Sequence, residues 1–208
     1  SRTIDSIPMA VKLLGLKETA AAVLSSSVAD ILEKAANFDF DTFWRDAVFS
    51  ATAAKLLTKR VETSAPGAVN VAALLHDIGR FCLAQAAPDR YQRIAQDTDG
   101  PTLIATELEE FSLAHPEAGY ILATHWGIPE EISGLIRHHH DPNLDKDHPV
   151  ETALVGLSAH MGEAYVHNLP CEPKTFLNAI DAIRLLGLKS EDLLAVYNEA
   201  LETVSDQM

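Results

Sequence analysis

Basic residues are scarce in this 208-residue chain: 16 Lys and Arg stand against 30 Asp and Glu, a formal net charge of −14 with histidine neutral. That balance argues against nucleic acid or an anionic membrane as a partner, because both are bound through basic surface. Cysteine is scarcer still. Cys82 and Cys171 are the only two; they give no disulfide framework and fit a reducing cytoplasm. No apolar run reaches the roughly 18 residues that a membrane span requires, and no signal peptide is visible. Strand patterns are weak everywhere, and neither an internal repeat nor a convincing domain linker can be found.

What remains is an ordinary globular composition. It is 47% hydrophobic with a mean hydropathy of +0.03, enough for one sizeable core or two small lobes sharing an interface. Nearly every long segment reads as helix, so the expected fold class is all-α. Ser6 to Leu24, interrupted at Gly15, reads as two short helices, and Val28 to Ala36 carries an i, i+3, i+4, i+7 stripe. Asp41 or Thr42 is the expected cap of a largely buried helix reaching Lys59. Ser64 to Gly67 reads as a loop, followed by one helix from Val69 to Ala86. Pro116 and Pro129 sit where first helical turns begin. Helices from Val150 to His167, Lys174 to Leu186 and Ser190 to Val204 close the chain, with Gly187 as a stop and Ser190 as a start. Trp126, Trp44 and Tyr120 are expected to pack as structural aromatics.

Polar residues on apolar helix faces carry the functional signal. The stretch Val71-Ala-Ala-Leu-Leu-His-Asp-Ile-Gly-Arg-Phe81 places His76 and Asp77 inside an otherwise apolar segment. In Ile128 to His140, the apolar stripe is Ile132, Leu135 and Ile136. At 100° per residue His139 falls within that stripe, His140 at its edge, and His138 on the solvated side. An inward histidine pair at a helix end is either a helix-dipole and carboxylate arrangement or a metal site. His115 opens a helix just before Pro116, as a capping residue or as a ligand. His160 shares a face with Ala153, Leu157 and Ala164, as a core hydrogen-bonder or as a ligand. Asp46 lies in a helix with few solvated positions, and a buried carboxylate must be paired or coordinate something. Asp46, His76, Asp77, His115, His139 and His160 thus point from five helices toward one place, with His140 beside them. Mixed imidazole and carboxylate ligation suits Mn, Fe, Zn or Ni better than Ca or Mg. Such a centre would lower the pKa of a bound water and clamp a phosphoryl oxygen.

His76-Asp77-Ile78-Gly79 with a basic residue after it resembles the signature of the HD superfamily of metal-dependent phosphohydrolases, and His115-Pro-Glu-Ala-Gly119 and His139-His140-Asp141-Pro142 resemble its later elements. The context is closer to one branch, the HDOD domains of bacterial signalling proteins. The matching features are Ser6-Ile7 through Leu14-Gly15-Leu16, Phe43-Trp44, Leu74 to Gly79, and Trp126-Gly-Ile-Pro129 ahead of the double histidine. The likeness extends over residues 3 to 190. It implies a multi-helix HD-like bundle acting as a cytoplasmic regulatory module, with signalling proteins as partners and a divalent transition metal (Fe, Mn, Zn or Ni) as the cofactor. It also implies a further helical lobe ahead of Ser6. The expectation is that residues 1–208 are a single domain lacking that lobe, consistent with a chain that opens Ser1-Arg2.

Three positions depart from the catalytic pattern. Asp46 stands where catalytic HD domains place a histidine well upstream of the His-Asp pair. His160 stands where a closing aspartate is usual, and Arg80 replaces the frequent lysine. These exchanges favour a signalling module that retains a metal at His76, Asp77, His115, His139, His140, Asp46 and His160. The alternative is an active phosphohydrolase in which Asp77 and Arg80 are catalytic, Arg80 steadying the phosphate. A third reading, a purely structural domain, expects Asp77 to pair with His139 and Asp46 with His160.

Overall fold

The computed structural model describes residues 38–95, 100–170 and 179–205, and residues from Asp39 onward form one compact unit. Helices and turns make up the described residues, and no strand occurs among them. The helices expected at Ser6 to Leu24 and Val28 to Ala36 lie outside these residues.

Helix α1, Phe40–Leu57, begins at Asp39, whose side chain accepts a hydrogen bond from the Thr42 backbone N–H. The cap is therefore Asp39 rather than Asp41 or Thr42: its oxygen reaches an N–H that has no helical acceptor. Helix α2 spans Pro66–Leu75 and starts inside the segment read as a loop, with Pro66 in its first turn, where a missing N–H is harmless. The single helix expected from Val69 to Ala86 is in fact two. It breaks at His76 and Asp77, and α3 runs Ile78–Ala86 with Asp77 at φ −98°, ψ 8° as its N-cap. The apolar pattern continues through the break, so periodicity could not reveal it. The chain then forms α4, Pro88–Ala95, and α5, Gly100–Phe111. Helix α6, His115–His125, and α7, Glu130–His138, begin beside Pro116 and Pro129 as expected. A short 3₁₀ turn, Pro142–Leu144, leads into α8, Pro149–Val166. The chain ends with α9, Ile180–Leu186, and α10, Ser190–Ser205; Gly187 terminates α9 in the left-handed conformation, φ +65°. The first residues of the helix expected from Lys174 lie outside the described residues.

Helix α8 is the central element. It is apolar nearly all round and packs against α1, α2, α7 and α9, as a helix without a solvated face must. Leu154, Leu157 and Met161 are fully buried, each stabilising the fold by about 1.5–3 kcal/mol. Phe49 of α1 stacks on Tyr165 of α8 at 4.4 Å and tilts against Tyr197 of α10 at 5.2 Å, tying three helices together.

Two glycines let helices approach at backbone contact. A Cβ on Gly79 would run into the His115 carbonyl oxygen and the Gly119 nitrogen, so α3 lies directly on the start of α6. One on Gly156 would strike the carbonyl oxygen of His139, so α8 seats against the end of α7. Both contacts fall beside residues of the polar cluster. Trp126, expected at a packed junction, is instead 46% exposed, since it caps α6 in a turn where Gly127 adopts φ +73°. His138 is half-buried rather than solvated, and Tyr120 and Trp44 are likewise half-buried. Tyr120 is covered by Arg137, whose guanidinium lies 4.6 Å from the ring centre, and Trp44 stacks on Phe40.

Candidate metal centre

The break between α2 and α3 projects His76 and Asp77 into the interior, where both are buried. Around the Asp77 carboxylate the ends of other helices converge. His115, first residue of α6, brings Nε2 to 3.3 Å from Asp77 Oδ1. His139, C-cap of α7, brings Nε2 to 3.9 Å from the same oxygen. On the other side, His76 Nε2 lies 3.7 Å from Oδ2. His140 Nε2 is 3.0 Å from His115 Nε2.

Hydrogen bonds on the far ring nitrogens fix the tautomers. His76 Nδ1 faces the Ala73 carbonyl oxygen at 2.9 Å, and His139 Nδ1 faces the Ile136 carbonyl oxygen at 2.7 Å. A carbonyl only accepts, so each Nδ1 carries the proton and each Nε2 presents a lone pair. His115 Nδ1 donates to Glu107 Oε2 at 2.7 Å, and the His115 backbone N–H donates to the same oxygen at 2.8 Å. Glu107 is fully buried and also accepts from the Tyr91 hydroxyl at 3.0 Å. A carboxylate behind an imidazole is how ligating histidines are commonly oriented. Glu107 was missed in the sequence because it sits in the acidic run Thr106-Glu-Leu-Glu-Glu110. The signal was its position midway between Leu103 and Phe111, four residues from each, on an apolar face.

The consequence is an unmet need. His139 is 2% exposed, and its Nε2 is a buried atom with no hydrogen-bond partner among the described residues. Native interiors rarely leave a polar atom so, and an ion is one resolution. Burial, then the neighbouring His76 and His115, holds the His139 imidazole well below its ordinary pKa. Burial, then His139 and His115, does the same for His140. Both rings are thus neutral, as metal ligation demands. Burial alone would raise Asp77, but its neighbours, His76 and the Arg80 guanidinium foremost, outweigh it and hold the carboxyl well below the usual carboxylate range. Asp46 is pushed up to about 6, chiefly by burial, and its Oδ1 accepts from the Ser50 hydroxyl at 3.0 Å.

Two ligand groups result, sharing Asp77. Asp77, His115, His139 and His140 offer donor atoms within 4.8 Å of one another, and so do Asp46, His76 and Asp77. A divalent transition ion fits this donor set of lone-pair imidazole nitrogens and carboxylate oxygens. His160 belongs to neither group. Its ring lies 6.3 Å from that of His140, and its Nδ1 faces Glu163 at 3.5 Å. It lines the wall of the cavity of about 40 Å³ at the cluster. Of the pairs expected from a purely structural domain, Asp77 does face His139, whereas Asp46 bonds to Ser50 and not to His160. Arg80 is already engaged: Nη1 donates to Asp77 Oδ2 at 2.9 Å and Nε donates to the Tyr91 hydroxyl at 3.2 Å. No helix of the described residues is long and apolar enough to cross a membrane.

An all-helical bundle with a His-Asp pair at a helix break, facing imidazoles from two further helices, defines an HD-like domain. Residues 1–142 match the HDOD domain family, and the chain belongs to it. Solved structures share the fold. The MmoQ response regulator from Methylococcus capsulatus str. Bath is 27% identical with a TM-score of 0.62, the likeness covering 95% of this chain and 76% of that one. An HDOD domain protein with unknown function from Geobacter sulfurreducens has a TM-score of 0.68 at 23% identity, over 98% of this chain and 74% of the other. No curated protein matches the chain.

Proposed function

We propose that this chain is a signal-transduction module of the HDOD type that holds a divalent transition metal, Fe, Mn, Zn or Ni, through Asp77, His115, His139 and His140. One observation carries the reading: the buried Nε2 of His139 has no hydrogen-bond partner among the described residues and is directed, with two other imidazoles, at one carboxylate. Without an ion, the neutral His139 would keep a desolvated lone pair unmatched at Nε2, which is unfavourable. The regulatory half of the proposal, with signalling proteins as partners, is supported by family membership and by the response regulator among its structural neighbours. The bound ion would act as a Lewis acid and lower the pKa of coordinated water. The residues of this chain hold, orient and desolvate the site, with Glu107 setting the His115 ring.

The test is metal content after chelation and reconstitution with Mn(II), Fe(II), Ni(II) or Zn(II). Retention by the wild type and loss in His139→Ala would support the reading, and a site empty under every reconstitution would end it.

A second reading, hydrolysis of a phosphoester, is favoured by a cavity of about 230 Å³ lined in part by His139, His140 and His160, which gives a small ligand room beside the cluster. Engagement of Arg80 by Asp77 and Tyr91 weighs the other way, since little of that guanidinium is left for a phosphate. Turnover of bis-p-nitrophenyl phosphate, nucleotides and cyclic dinucleotides by the reconstituted protein separates the two readings. Metal-dependent turnover lost in His76→Ala would establish hydrolysis.

A further inference from the structure

The two groups meet at Asp77, and by residue type alone each could hold an ion: His115 and His139 face Oδ1, and His76 faces Oδ2. On the Oδ2 side, however, a cation is already present. The Arg80 guanidinium sits 2.9 Å from that oxygen, carries a permanent charge and has no lone pair with which to ligate. It is also anchored from behind. Arg80 Nε donates to the Tyr91 hydroxyl at 3.2 Å, and that hydroxyl donates to Glu107 Oε1 at 3.0 Å. Tyr91 and Glu107 are both buried, so swinging the guanidinium aside would leave a buried hydroxyl short of a donor and Asp77 Oδ2 short of its counter-charge.

The rest of that group is weakened as well. Asp46 Oδ1 is taken by the Ser50 hydroxyl, and α8 crosses so closely there that a Cβ on Gly162 would collide with both Asp46 Oδ1 and Ser50 Oγ. An ion among Asp46, His76 and Asp77 would have to displace Arg80 from Oδ2 and lie beside its charge. Among the described residues no second Lys or Arg lines the cavity at the cluster, and the Oδ1 side faces the imidazoles of His115, His139 and His140.

We propose that Arg80 acts as a built-in substitute for a second metal ion, so that the centre holds one ion, on the Asp77 Oδ1 side with His115, His139 and His140. This rests on the metal-binding reading above and adds its stoichiometry. Arg80 is a positioning residue here, acting through Asp77.

The experiment counts ions. Chelated protein is reconstituted with a tenfold excess of Mn(II), freed of unbound metal, and measured by plasma mass spectrometry and by electron paramagnetic resonance. The wild type is expected to hold one Mn(II) per chain with an uncoupled six-line spectrum. Arg80→Met, which removes the charge and keeps most of the bulk, is expected to approach two per chain with the signature of an exchange-coupled pair. Arg80→Lys, which keeps a positive charge, is expected to stay at one. Two ions or a coupled spectrum in the wild type would overturn the inference and leave metal binding intact. A folded Arg80→Met variant that stays at one would also overturn it. No ion in the wild type would remove the metal reading itself, and this inference with it. If Arg80→Met does not fold, the wild-type spectrum still decides between one ion and a coupled pair.

Discussion

The Nε2 atom of His139 lies 3.9 Å from Oδ1 of Asp77, buried and without a hydrogen-bond partner among the described residues. That separation is too long for a hydrogen bond and fits two ligands flanking a common point. Most of the functional reading follows from this pair.

If His139 is there for an ion rather than for the fold, its removal should spare the metal-free protein. His139→Phe loses one hydrogen bond to the Ile136 carbonyl and removes a buried unmatched acceptor, two effects of similar size and opposite sign. The metal-free variant is expected to unfold within about 1.5 kcal/mol of wild type in urea, while the rise in Tm on adding Mn(II) or Zn(II) disappears. A metal-free loss of several kcal/mol would mark His139 as a structural residue.

Glu107 touches no proposed ligand atom, yet it holds the proton of His115 Nδ1. Glu107→Gln keeps the shape and replaces a charged acceptor with a neutral amide. Metal affinity measured by competition with a chromogenic chelator is expected to fall 10–100-fold, the usual effect of losing such a partner. Unchanged affinity would remove Glu107 from the centre.

Close packing beside the cluster can be tested with a pair of glycines. Gly79→Ala forces a methyl group into the His115 and Gly119 backbones, neither of which can yield easily, and a loss of at least about 2 kcal/mol is expected. At Gly134, within α7, nothing lies within 4 Å of an added Cβ, and Gly134→Ala is expected to stabilise by about 0.5–1 kcal/mol. Thermal unfolding of the two variants compares them directly.

Away from the centre, Glu151 of α8 ties down the turn after α1. Its Oε1 accepts from the Thr63 hydroxyl at 2.7 Å and from the Ser64 N–H and hydroxyl at 3.1 and 2.9 Å. Burial would raise its pKa, but these hydrogen bonds prevail and hold it below the ordinary 4.5. A depressed folded-state pKa gives stability that is present above pH 4.5 and lost as pH falls through the folded value. Glu151→Gln is therefore expected to cost about 1–3 kcal/mol at pH 7 and progressively less below pH 4.5. A variant whose deficit is the same at pH 7 and pH 3 would contradict this.

The sequence made the helical scaffold legible because caps, prolines and apolar stripes are local signals. Pro116, Pro129 and Gly187 mark boundaries through backbone chemistry that needs no tertiary partner. The break at His76 and Asp77 was hidden, since the apolar pattern of Val71 to Phe81 runs across it and the turn is set by how closely Gly79 meets α6. His139 could be placed inside from its angular position, but its lack of a partner could not, because that depends on three other helices. Glu107 was masked by its acidic neighbours. Trp126 misled for the opposite reason: a large aromatic suggests burial, yet a helix-capping turn leaves its ring outside. His160 lies on an apolar helical face as its spacing suggested, but its Nδ1 faces Glu163 at 3.5 Å and its ring lies 6.3 Å from that of His140.

The most direct measurement is X-ray diffraction from crystals of the Mn(II)- or Zn(II)-reconstituted protein, with data at the metal edge. An anomalous peak within about 2.0–2.3 Å of the His115, His139 and His140 Nε2 atoms and an Asp77 carboxylate oxygen is expected. A fully reconstituted crystal with no anomalous density among those imidazoles, or with density only at surface carboxylates, would contradict it.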